Sequence, residues 1–232
     1  MEILTEDAVS RFLVDDPIGA LMDVCSEAGD EALVCQRWLR DSAPKRLIFE
    51  RLYGDLLHGD EGRRVLDVGG GVTCLTRLLA ARQRYELVDL MAHSDEPEVE
   101  RARGQADRPY IHVVDWYEFT PKGTYDVVIA NDLFPNVDQR LPMFLAKMLP
   151  IAREVRLSLT YYPQGRFYMT RRVDGDEVFC MLAWDGDMTA RVLDRYADRI
   201  VEPDLGLLTS ESRSVYPNGR QVCLAVLKGD QG

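Results

Sequence analysis

Apolar residues recur at three-to-four spacing over residues 5–58, where Phe12-Leu13, Ile18, Leu21-Met22, Leu33-Val34, Trp38-Leu39 and Leu47-Ile48 follow one another, and this period predicts several short helices. Ser42 before Ala43-Pro44 reads as an N-cap with proline in the first turn. It opens a helix that carries Phe49, Leu52, Tyr53, Leu56 and Leu57 to Gly59. From residue 64 the pattern changes to short apolar runs. Arg64–Val68, Tyr85–Leu90, Tyr110–Val114, Gly123–Ala130 and Val155–Thr160 predict buried strands. Between them lie Leu75, Leu78 and Leu79 at helical spacing, a polar stretch from Ala92 to Pro109, and a helix over Val137–Met148. Strands alternating with helices predict an α/β fold with a largely parallel sheet and helices on both faces.

The last third departs from that alternation. Arg166–Val173 and Glu177–Trp184 flank Asp174-Gly175-Asp176, a strong short-range signal for a hairpin inserted after the fifth strand. Asp187–Ile200 reads as a helix with Met188, Val192, Leu193 and Tyr196 on one face. Leu207–Tyr216 and Gln221–Lys228 around Pro217-Asn218-Gly219-Arg220 predict a second, terminal hairpin.

Composition narrows the function class. The chain has 232 residues, enough for one sizeable core and short for two. We expect two parts of one unit, an N-terminal helical lid segment over 1–59 and a main domain over 60–232. The formal charge of −11, with no Lys/Arg run, argues against nucleic acid as partner. Cys25, Cys35, Cys74, Cys180 and Cys223 are scattered without metal-ligand spacing, so free thiols are expected and no metal site. The N-terminus has no cationic, apolar leader, and no apolar run approaches the roughly 20 residues of a membrane span. A cytoplasmic protein with no membrane contact is the expectation.

The candidate chemistry centres on Asp67-Val68-Gly69-Gly70-Gly71-Val72-Thr73-Cys74, a strand end, a glycine turn and a helix start. Gly69, Gly70 and Gly71 let backbone come close to a ligand. A dinucleotide site wants a glycine where Cys74 stands, and Asp67 facing the ligand would repel pyrophosphate but attract an ammonium. Asp89 ends the next strand about 20 residues on, where a carboxylate can accept from ribose hydroxyls. A turn acid is the alternative. His93 reads as a surface residue.

These residues resemble the first motif of the class I S-adenosylmethionine-dependent methyltransferases, acid-x-Gly-x-Gly-x-Gly, in which Asp67, Gly69 and Gly71 fill three places and Thr73 replaces the last glycine. The resemblance covers residues 60–228. It implies a Rossmann-like seven-stranded methyltransferase sheet with its last strand antiparallel, and S-adenosylmethionine as cofactor, leaving as S-adenosylhomocysteine. It implies cofactor contacts from Asp67, Gly69, Gly70, Gly71, Asp89 and Leu90. Asp115, after the third strand, would accept from the adenine amine while Trp116 lines the base; a cap and a core residue are the alternative. Asn131 would line the junction of donor and acceptor. Asp132 is the candidate base, with a helix N-cap as its alternative, and Tyr161 a second catalytic candidate. Phe134 and Tyr162 would border the acceptor. The implied activity is methyl transfer to an oxygen or nitrogen of a small molecule such as a sugar, aromatic or amine metabolite. A protein or RNA methyltransferase and a non-catalytic cofactor-binding scaffold are the other classes. The inserted hairpin would serve as a substrate cover or a homodimer contact.

Overall fold

The computed structural model describes residues 1–92, 94, 96–104, 110–171, 178–210 and 213–232. His93 and the hairpin turn Asp174-Gly175-Asp176 lie outside the described residues. The N-terminal part holds β1 (Glu2–Ile3), α1 (Glu6–Phe12), α2 (Pro17–Cys25), a 3-10 turn (Asp30–Ala32), α3 (Val34–Asp41) and α4 (Ala43–His58). There follow β2 (Arg64–Val68), α5 (Cys74–Arg82), β3 (Arg84–Asp89), α6 (Glu96–Gly104), β4 (Ile111–Val113), β5 (Tyr125–Phe134), α7 (Leu141–Met148), β6 (Ala152–Tyr161), β7 (Arg166–Arg171), β8 (Val178–Ala183), α8 (Gly186–Asp194) and β9 (Gln221–Lys228).

Seven strands form one sheet in the order β1-β9-β6-β5-β2-β3-β4. β2, β3, β4, β5 and β6 run parallel, and β9 lies antiparallel to both β6 and β1. The central strands read as apolar runs because both of their faces are covered. Val65, Val127 and Ile129 join a core with Phe49, Leu52, Leu75 and Leu79 from α4 and α5. Their neighbours Leu66, Val128 and Ala130 point the other way, into a core with Phe144, Leu145 and Leu193 from α7 and α8. Alternation of period two thus feeds two layers from one strand. The helices of the N-terminal segment share the first core with the sheet.

The inserted hairpin is present as β7 paired antiparallel with β8, a separate two-stranded sheet. The expected terminal hairpin is not, among the described residues. Residues 205–209 form a 3-10 helix, and both edges of β9 are already filled, by β6 along its length and by β1 at Leu224 and Cys223. The Asn218-Gly219 turn survives as a tight turn, with Gly219 at φ +78° and its N–H donating to Tyr216 at 3.0 Å, but it feeds only one strand. The helix expected to reach Ile200 ends at Asp194.

Candidate active site

The chain leaves β2 through Gly69-Gly70-Gly71 and enters α5 at Thr73. Gly69 and Gly71 take φ of +75° and +67°, the left-handed region that side chains avoid. Thr73, standing where the resemblance has its last glycine, is the N-cap of α5. Its hydroxyl accepts from Thr76 N–H at 3.1 Å, while the Thr76 hydroxyl accepts from Thr73 N–H at 2.8 Å, a reciprocal capping box. Asp89 closes the turn from β3. Its Oδ2 accepts from Gly71 N–H at 3.1 Å and its Oδ1 from Met91 N–H at 2.7 Å. Leu90 next to it is exposed.

Asp67 is placed otherwise than expected. Its carboxylate does not face a ligand; it lies wholly buried beneath the turn, accepting from Tyr53 at 3.0 Å and from Tyr85 at 2.6 Å. A Cβ on Gly70 would overlap it. Desolvation pushes its pKa up to about 7 against the pull of the two phenols. Asp67 therefore holds the turn from below.

The N-terminal helices close on the turn from above. A Cβ on Gly71 would overlap the Cys35 sulfur of α3. Burial and the Asp89 charge push that thiol up to about 11. Gln36, also wholly buried, accepts from Cys74 N–H at 3.0 Å. Asp30 accepts from Arg77 of α5 at 2.8 Å and is held below the usual carboxylate range, because Arg77 outweighs the cost of burial. Both contacts fasten the segment to the helix that follows the glycines.

At the carboxyl end of β5 the register shifts between Ala130 and Phe134, and Asp132 takes φ +53°. The Asp132 N–H donates to Ser158 Oγ at 2.7 Å, and Ser158 donates to Asn131 Oδ1 at 2.8 Å. The Asp132 carboxylate accepts from Lys45 at 2.8 Å, from Thr160 at 3.1 Å, and from Arg220 at 3.4 Å. Burial would raise its pKa, but the Lys45 and Arg220 charges outweigh that and hold it below the usual carboxylate range.

The remaining expected site residues divide. Phe134 is fully buried in the second core against Trp116 and Phe144, so it is not at an open acceptor surface; the shifted register turns it inward. Tyr161 is likewise buried there, its hydroxyl without a partner among the described residues, and desolvation raises its pKa. Its strand position points it into the sheet layer rather than towards a ligand. Trp116 is core, its indole N–H donating to Asp138 at 2.7 Å, and Asp115 accepts from Arg140 at 2.8 Å and from Tyr117 N–H at 2.8 Å. Asp115 therefore closes a short turn and opens no helix, while Trp116 is a core residue. Tyr162, half-buried, lies 5.6 Å under the Arg166 guanidinium. Gly69–Gly71, Asp89 and Leu90 lie at the carboxyl ends of β2 and β3 and Asn131 and Asp132 just before the end of β5, whereas Phe134 and Tyr161 end β5 and β6 with their side chains in the core.

Lys45, Arg220, Cys35 and Gln36 complete this region, and no sequence motif marks them. Lys45 carries a readable signal all the same, because it stands in the first turn of α4, where a cation opposes the helix dipole. Among the described residues no cluster of His, Cys, Asp or Glu could hold a metal ion, and no helix is long and apolar enough to cross a membrane.

No protein-family model matches the chain, and no curated protein sequence does. Similarity appears in backbone structure. The chain is similar to the Burkholderia thailandensis 1,6-didemethyltoxoflavin-N1-methyltransferase, solved with 1,6-didemethyltoxoflavin and S-adenosylhomocysteine, at 16% identity over 96% of this chain and 87% of that one, with a TM-score of 0.52. It is similar to DhpI, solved with S-adenosylhomocysteine, at 18% identity over 97% of both chains, with a TM-score of 0.51. A Thermoplasma acidophilum protein superposes at a TM-score of 0.50, with 14% identity over 93% of this chain and 99% of that one. With five parallel strands, an antiparallel β9 and a glycine turn on the central strand, the chain has the fold of the class I S-adenosylmethionine-dependent methyltransferases.

Proposed function

We propose that this protein is an S-adenosylmethionine-dependent methyltransferase acting on an oxygen or nitrogen of a small molecule. The observation that carries the reading is the glycine turn braced by Asp89 at the carboxyl ends of β2 and β3, where open α/β sheets take their ligands. The residues present suit the cofactor. Gly69 and Gly71 offer bare backbone, Asp89 is a carboxylate at the end of β3 suited to ribose hydroxyls, and exposed Leu90 offers an apolar edge to the base. Bound there, the cofactor supplies a methyl group on a positively charged sulfur.

What the chain itself contributes is chiefly placement. Orientation of two reactants can supply about 7–11 kcal/mol of barrier reduction, whereas a positioned base gives about 10²–10⁴-fold, or roughly 3–5 kcal/mol. Asn131, fixed by Ser158, stands between the turn and the β5–β6 exit and is suited to position the acceptor. Cys35 packs against Gly71 and Gln36 against the start of α5, so both border the turn. Asp132, held ionised by two cations, is a weak base, so an amine that sheds its proton to solvent is the acceptor best served by this geometry.

Calorimetry with S-adenosylmethionine, S-adenosylhomocysteine and NAD tests the reading. Binding of both sulfur nucleosides and none of NAD is expected. Tight NAD binding without response to the others would overturn it. Mass spectrometry with isotopically labelled donor and a panel of amines, phenols and sugars then identifies the acceptor.

A further inference from the structure

Resting on that reading, we propose that the methyl acceptor carries an anionic group, a carboxylate or phosphate, and that Lys45 and Arg220 hold it at the exit of β5 and β6. Two cations share one carboxylate there. Lys45 Nζ is 2.8 Å from Asp132 Oδ2, and Arg220 Nη1 is 3.4 Å from Oδ1 and 3.5 Å from Oδ2. Charge-assisted pairs normally close to about 2.7–2.9 Å, so Asp132 satisfies the lysine and leaves the arginine short. The Arg220 Nε is buried and has no acceptor among the described residues. A buried donor of this kind calls for a partner.

The arginine is also held for a ligand. Its guanidinium lies 3.9 Å over the Tyr216 ring and its side chain is 12% exposed, which fixes the plane of its donors. Lys45 sits 5.4 Å from the Trp38 ring centroid and is 26% exposed, reachable from solvent. Asp132, in its left-handed conformation, keeps the two cations near one point without neutralising both. The position assigns the anion to the acceptor. The glycine turn and Asp89 take the cofactor at β2 and β3, whereas Arg220 directly precedes β9 and Asp132 lies on β5, the side left for the second substrate.

The test is calorimetry on protein saturated with S-adenosylhomocysteine, titrated with benzoate, inorganic phosphate and the neutral isostere benzamide. One of the two anions should bind at least tenfold more tightly than benzamide, and both Arg220→Gln and the more exposed Lys45→Gln should abolish that difference while binding S-adenosylhomocysteine as the wild type does. Equal binding of anions and benzamide, or a difference that survives in both variants, overturns the proposal. So does a loss of S-adenosylhomocysteine affinity in the variants with unchanged affinity for 5′-methylthioadenosine, which lacks the amino-acid carboxylate, since the cations would then serve the cofactor. Wild-type protein that binds no S-adenosylhomocysteine would instead overturn the cofactor reading, and the acceptor site with it.

Discussion

The backbone amide of Cys74, first residue of α5, donates to Gln36 Oε1 at 3.0 Å, and the Gln36 amide group reaches back to the Cys74 sulfur at 3.5 Å. The first amides of a helix are unsatisfied within it and commonly turn to anions or caps. Here a glutamine from α3 takes one of them. The N-terminal segment is thereby tied to the helix start that follows the glycine turn, so the position of that segment and the geometry of the turn are linked through one side chain.

Replacing Gln36 with leucine should therefore destabilise the protein by about 1–3 kcal/mol, the usual cost of leaving a buried donor unpaired. Urea unfolding measures it. A variant as stable as the wild type would mean that the amide finds water or another acceptor when the glutamine is gone.

The turn itself gives a second expectation. Gly71→Ala places a methyl group against Cys35 in a backbone conformation that costs roughly 1–2 kcal/mol for any L-residue. S-adenosylhomocysteine binding should be lost or fall by more than tenfold. Adding Cys35→Ala removes the overlap with the sulfur but leaves a tight contact at its Cβ and the backbone cost, so the double variant should recover part of the affinity. Failure of Cys35→Ala to restore any would place the effect in the backbone and that remaining contact.

Asp89→Ala should weaken S-adenosylhomocysteine at least tenfold, because hydrogen bonds to a charged acceptor are worth about 1.5–3 kcal/mol each. The same carboxylate anchors Gly71 through Oδ2 and Met91 through Oδ1, so Asp89→Asn, which keeps only one of the two acceptors, should weaken binding by less than Asp89→Ala. Calorimetry on folded variants decides. Unchanged affinity in both would leave Asp89 as a turn residue.

How far the sequence can be read follows from how local each signal is. The glycine turn and the acid ending β3 are demands on single backbone positions, and they stand where the pattern places them. The positions of Asp67 and Asp115 are equally legible, but not their orientation. Tyr53, Tyr85 and Arg140, which claim those carboxylates, lie 14, 18 and 25 residues away, and no period connects them. β1 is two residues long, below the length at which alternation carries information, and its pairing with β9 is what displaces the expected terminal hairpin. Phe134 and Tyr161 read as rim aromatics because strand ends look alike in sequence. The register shift before Phe134 decides that it turns into the core.

Asp67 makes stability depend on pH in a definite sense. Its folded pKa, about 7, lies above the ordinary 3.8, so the native state holds a proton that the unfolded chain releases. Stability from this group is fully present below about pH 4 and is lost as pH rises to about 7, on the order of 4 kcal/mol in all. Asp67→Asn should remove that slope. Asp55, lowered to about 2 by Arg156 and Arg63 against the cost of burial, acts in the opposite sense, its contribution fading only as pH falls from 3.8 through about 2. The two windows do not overlap, and the Cys74 thiol, lowered to about 7 chiefly by its hydrogen bond with Cys25, adds a slope only from there upward, so urea unfolding between pH 4.5 and 6.5 reports on Asp67. A wild-type curve flat over that range would mean that the phenols keep the carboxylate ionised.

Asp132 separates a base from a positioning residue. A general base must gain a proton in the transition state, and its effectiveness falls as its pKa falls. Lys45 and Arg220 hold this carboxylate below the usual range despite its burial, and Thr160 donates to it as well. The pH profile of kcat/KM should accordingly show no carboxylate limb above about pH 5, any acidic limb arising from the acceptor itself. Asp132→Asn should leave turnover within about tenfold of the wild type and should tighten an anionic acceptor, because two cations then face it without a competing carboxylate. A base predicts the reverse, turnover lowered by about a hundredfold or more with KM little changed. Steady-state kinetics on the acceptor found by mass spectrometry distinguishes these. The second outcome would return proton removal to Asp132 and require Lys45 to move away from it before the reaction.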